Sequence, residues 1–62
     1  MEIVELIQPV TLTKDQLQPI TIEAGILLKV LMVNPSSYLV ADESGFSFLL
    51  QFSNENIQWK KL

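Results

Sequence analysis

The chain has 62 residues, seven acidic and four basic, a net charge of −3, and neither cysteine nor histidine. This closes off disulfides, the nitrogen and sulfur zinc sites, the thiol nucleophile and the commonest general base. A chain this short buries only about 60% of its unfolded surface, and with the usual disulfide and metal staples absent, self-association is the route left to extra stability.

In chain order, Glu2 to Leu12 carries Ile3, Val4, Leu6, Ile7, Val10 and Leu12 and predicts a strand, bent or broken at Pro9, which has no N–H for a ladder. Ile3, Leu6 and Ile7 also stand at helical spacing, so a helix over Glu2 to Gln8 is the competing reading. Thr11 to Pro19 turns polar and predicts a long irregular loop; Thr13 is placed to cap a single helical turn, which Pro19 would end by Gln18. Ile20 to Glu23 alternates with period two, which predicts a short half-buried strand, and Ala24-Gly25 supplies a bend.

Gly25 to Phe52 reads as a three-stranded meander: apolar runs at Ile26 to Val33, Tyr38 to Asp42 and Phe46 to Phe52, separated by Asn34-Pro35-Ser36-Ser37 and Glu43-Ser44-Gly45. The second turn predicts a three-residue hairpin with Gly45 left-handed. That sets Asp42, Val40 and Tyr38 opposite Phe46, Phe48 and Leu50, and puts Tyr38, Val40, Phe46, Phe48, Leu50 and Phe52 on one face. In the first hairpin, pairing Val33 with Tyr38 sets Lys29 opposite Asp42 and brings Leu31 and Val33 to the Phe46/Phe48 face. A shift by one residue exchanges the odd for the even residues. Either register leaves a second apolar strip facing away, so the middle run is a bent strand serving two parts of a curled sheet or a strand whose second face binds another chain.

Ser53 to Asn56 predicts a 3₁₀ turn. Ile57 to Leu62 predicts a last short strand with Ile57 and Trp59 on one face. Trp59 with Lys60-Lys61 fits either a base-stacking platform beside phosphate-binding lysines or an aromatic cap on the barrel with solubilising lysines.

Five short strands, a long polar loop after the first, two tight hairpins and a 3₁₀ turn before the last strand resemble a small five-stranded SH3-like antiparallel barrel, all-β, spanning residues 1–62 as a single domain. The stretch Gly25 to Val33, the Tyr38-Leu39-Val40-Ala41-Asp42 strand and Gly45-Phe46 resemble the glycine, valine-rich strand, "Y-x-V-x-D" strand and "G-F" hairpin of KOW-like bacterial SH3-like domains. The "ALYDY" run and paired tryptophan of proline-peptide-binding SH3 domains are absent, and KOW domains tend to be basic where this chain is acidic. The resemblance implies a fold and transfers no functional residue.

The serines fall mostly in predicted turns, Asp42 and Glu43 form an exposed turn pair, and the two glycines make no phosphate loop. No enzyme, metal or cofactor is expected. The expected function is a non-catalytic protein-interaction module, self-associating or binding another protein, with Leu27, Leu31, Val33, Tyr38 and Trp59 as interaction residues. The alternatives are a KOW-like nucleic-acid or ribosome-associated accessory protein, which the scattered negative charge disfavours, and a phage or mobile-element accessory or inhibitor protein. Met1 to Glu5 lacks the pattern of a signal peptide, and no apolar run reaches the roughly 20 residues of a membrane helix. The sequence therefore predicts a cytoplasmic protein with no membrane association.

Overall fold

The computed structural model describes residues 2–13 and 17–62. Among these, seven strands form two antiparallel sheets: β1 Ile3–Leu6, β2 Val10–Leu12, β3 Ile20–Ile22, β4 Leu27–Val33, β5 Ser37–Ala41, β6 Ser47–Gln51 and β7 Trp59–Lys61. The large sheet runs β6-β5-β4-β1-β7 and curls into a half-barrel, while β2 and β3 pair separately. A 3₁₀ turn at Phe52–Asn54 links β6 towards β7.

Five strands were expected and seven are present. The Glu2 to Leu12 run divides at Pro9: the N–H groups of Ile7 and Gln8 both donate to the Gln58 carbonyl, at 2.7 and 3.1 Å, which ends the β1 ladder. The chain then re-enters strand geometry at Val10, so the expected irregular loop begins inside a second hairpin, in which Thr11 pairs with Thr21. Glu2 to Gln8 is strand rather than helix, because Val4 and Leu6 alternate into the core while Ile3 and Glu5 face out. The helical turn expected after Thr13 falls on residues 14–16, which lie outside the described residues.

β4 serves two halves of the sheet. Leu27, Leu28 and Lys29 pair with Glu5, Val4 and Ile3 of β1, and from Lys29 onward the strand pairs with β5. Val33 pairs with Tyr38 as expected, but one extra residue, Leu31, interrupts the ladder between Val30 and Met32. Such a bulge shifts every pairing behind it by one and sharpens the local twist. Lys29 therefore stands opposite Ala41, and the expected Lys29 to Asp42 pair does not form. Leu28 is fully buried and Val30 half-buried, whereas Leu27, Lys29 and Leu31 face outward.

The second hairpin follows its sequence reading. The Gly45 N–H donates to the Asp42 carbonyl, the Phe46 N–H to Asp42 Oδ1 at 3.0 Å, and Gly45 sits at φ +89°. Such a φ suits glycine because a Cβ crowds the backbone there. Tyr38 pairs with Leu50 and Val40 with Phe48. Val4, Leu6, Leu28, Val40, Leu50 and Trp59 are completely buried, and Val10, Leu12 and Ile20 of the small sheet pack against them, which seats the β2–β3 hairpin on the core. Phe46, expected on the core face, lies at its rim and is partly exposed. Ile57 does not share the Trp59 face. The Ile57 and Gln58 N–H groups close back on the Asn54 carbonyl, Asn56 reverses the chain at φ +66°, and Ile57 is left exposed.

Candidate interaction surface

Of the expected interaction residues, Tyr38 and Trp59 belong to the interior. Trp59 is fully buried, and its indole Nε1 donates to the Gln51 carbonyl at 3.0 Å, so the polar end of the ring is satisfied inside the fold. Tyr38 packs edge-on against Phe52 with centroids 4.8 Å apart and tilted against Trp59 at 5.5 Å. The three rings close one end of the half-barrel. Trp59 therefore offers no face for stacking on a base.

Around that aromatic end sits a polar cluster. The Tyr38 hydroxyl donates to Glu2 Oε1 at 2.8 Å, and Lys61 Nζ lies 5.9 Å from the Tyr38 ring centroid. The hydrogen bond to the Glu2 carboxylate, with desolvation, holds the Tyr38 phenol above its ordinary 10.0, because losing the proton would set two negative charges side by side. The nearby Tyr38 hydroxyl raises Lys61 above its ordinary 10.5. The Glu2 to Tyr38 hydrogen bond and the Lys61 ammonium near the Tyr38 ring tie the start of β1 to β5 and β7. Lys60 adds an exposed ion pair to Glu5 at 3.8 Å, a geometry that contributes little to stability. Among the described residues, no group of three acidic side chains is placed to hold a metal ion.

Leu27, Leu31 and Val33 are exposed; Leu31 and Val33, which the Val33 to Tyr38 pairing was expected to bring to the Phe46/Phe48 face, stay outside because Leu31 bulges out of the ladder and Val33 ends the strand. Met32 and Leu49 are also large apolar residues on the surface, so that these five span 52% to 67% exposure. Cross-strand pairing sets Met32 beside Leu39 and Leu39 beside Leu49, forming one apolar row across the outer face of β4, β5 and β6 with Leu31 at the bulge next to it. Leu49 was legible in the alternation of Phe46 to Phe52, whose even residues face the core. Met32 faces outward as the Val33 to Tyr38 register predicts, whereas Leu28 and Val30, of the same parity, turn to the core because the Leu31 bulge lies between them and Met32.

Among the described residues the row ends at an unpaired sheet edge. Among the described residues, β6 pairs with β5 alone. The Phe46 carbonyl accepts from Asp42 and the Phe52 N–H donates to Ser36, so the even residues of this run direct their backbone groups towards β5. By the alternation of an antiparallel ladder, Ser47, Leu49 and Gln51 direct theirs outward.

Comparison with protein-family models, with curated proteins and with solved structures finds no match for this chain. Among the described residues no helix is long and apolar enough to cross a membrane.

Proposed function

We propose that this protein is a non-catalytic interaction module that self-associates through the apolar outer surface of β4 to β6. One observation carries the reading: Leu31, Met32, Leu39 and Leu49 form a contiguous strip, not scattered singly as isolated surface apolar residues are, on a sheet whose opposite face already supplies the core. Burying a Leu or Met side chain stabilises by about 1.5–3 kcal/mol relative to leaving it exposed, so covering this strip adds to a fold of only 62 residues. The interaction residues are Leu27, Leu31, Met32, Val33, Leu39 and Leu49.

The fold is SH3-like in our reading. The supporting features are the order of the elements, with a hairpin after the first strand, a three-strand meander, a 3₁₀ turn and a last strand returning beside the first. Site of action and process remain proposals of the same kind: a cytoplasmic accessory protein whose partner is another copy of itself.

The test is light scattering on the wild type and on Leu49→Lys, a substitution at an exposed position that leaves the core intact. The wild type is expected to gain apparent mass with concentration and the variant to lose that gain. A wild type whose mass stays constant throughout would overturn the reading.

A further inference from the structure

Natural sheets protect their edges with charges, proline, bulges or a covering element, because an unpaired row of N–H and C=O groups recruits another strand. The two edges of the large sheet differ in this respect. β7 carries Lys60 and Lys61, so two copies meeting there would oppose like charges. β6 is Ser47-Phe48-Leu49-Leu50-Gln51, with no proline and no bulge in its ladder. No charged residue occurs from Phe46 to Asn54. For a molecule of net charge −3, this is an edge at which a second copy meets no opposing charge within the strand.

We infer that two copies pair β6 with β6 antiparallel about a two-fold axis at Leu49, joining their large sheets into one. This inference rests on the self-association proposed above and names its pairing element. The register is self-complementary. Leu49 faces its own copy as a hydrogen-bonded pair exchanging both backbone bonds, and Ser47 faces Gln51 of the other copy in the next such pair. The outward backbone groups of all three residues are thereby used. The Gln51 carbonyl, already accepting from Trp59, still has a second lone pair. On the outer face Leu49 meets Leu49 of the second copy, so the two Met32–Leu39–Leu49 rows run on as one strip in which edge pairing covers Leu49 and leaves Leu31, Met32 and Leu39 outward, and on the inner face Phe48 comes beside Leu50 of the second copy.

Area sets the strength. A standard interface buries about 800 Å² on each partner, about a fifth of this chain's 4299 Å². A five-residue strand is only about 17 Å long, so edge pairing covers less. So small an interface belongs with the weak, transient contacts, and the experiment is set for a Kd of roughly 100 μM.

The experiment is residue-resolved amide exchange by NMR on the intact wild-type chain at about 20 μM and about 1 mM, either side of that Kd. The amides of Ser47, Leu49 and Gln51 are expected to exchange rapidly in the dilute sample and to slow about 4-fold in the concentrated one, as the monomer fraction falls from about three quarters to about one fifth, while Phe48 and Leu50 are protected in both. A second arm uses Leu49→Pro, which removes an outward N–H without touching the β5–β6 ladder, a position where an edge strand accepts proline. It is expected to weaken association at least 10-fold while the dilute spectrum stays folded. Association with no added protection at these three amides, with sensitivity instead to the double change Leu31→Lys and Met32→Lys, would overturn edge pairing in favour of face-to-face packing and leave self-association standing. Absence of any association would remove both.

Discussion

Replacing Trp59 with Phe tests whether the aromatic end is core or contact surface. The indole is fully buried, its Nε1 bonds to the Gln51 carbonyl at 3.0 Å, and its ring lies 5.5 Å from Tyr38. Phe at this position loses the N–H bond, a cost of about 1 kcal/mol, and removes three ring atoms from a packed site, a further loss of about 1–2 kcal/mol in transfer and cavity terms. The sum is about 2–3 kcal/mol. A domain of 62 residues has a total stability of about 3–9 kcal/mol, and each kcal/mol moves Tm by about 4–8 °C at this size. Thermal and urea unfolding followed by far-UV circular dichroism, at a concentration well below the Kd of association, should therefore show a fall in Tm of about 8–24 °C. A fall of less than about 3 °C would mean that Trp59 contributes little to packing, and would return it to the list of side chains available to a ligand.

Three further outcomes are expected. A double-mutant cycle on Lys29→Ala and Asp42→Ala should give a coupling near zero, because the bulge sets Lys29 opposite Ala41; a coupling of about 0.5–1 kcal/mol would restore the regular register. Gly45→Ala should cost about 1 kcal/mol in urea unfolding, since nothing crowds a Cβ at that position and the penalty is the φ of +89° alone. Stability should decline at alkaline pH: Tyr38 and Lys61 are both raised in the folded state, so the stability they contribute is complete below about pH 10 and is lost as pH rises through their folded values. Tyr38→Phe, with no proton to lose, should lower Tm at neutral pH and show a smaller alkaline decline; an unchanged profile would remove the Glu2 hydrogen bond from the account.

Local chemistry made much of the meander legible. Asp42 to Gly45 carries its turn in its residue types, and from that turn the register of Tyr38 opposite Leu50 follows without tertiary information. The first hairpin was harder, because Ile26 to Val33 is apolar on both faces and supplies no period-two contrast to pin its pairing. What decides it is the bulge at Leu31, for which the run Val30-Leu31-Met32 has no glycine or other local mark. The strands of the β2–β3 hairpin were legible, Val10 to Leu12 as the tail of the first run and Ile20 to Glu23 as a short strand, but three residues each are too few for the sequence to show that they pair with one another. Ile57 misled for a related reason: it alternates with Trp59 in sequence, yet Asn56 turns left-handed and takes it out of the strand. The candidate surface was half visible. Leu27, Leu31 and Val33 were apparent from the two-sided strand, whereas burial of Tyr38 and Trp59 depends on how the 3₁₀ turn folds Phe52 and β7 over the barrel end.

Self-association is the central claim, and sedimentation equilibrium from about 10 μM to about 1 mM at moderate salt tests it most directly. The weight-average mass should rise from 7.0 kDa towards twice that value across the series, with a two-fold monomer–dimer fit and no higher species. A mass that stays at 7.0 kDa to the top of the range would contradict it, and would leave the Leu31, Met32, Leu39 and Leu49 strip without the partner assigned to it.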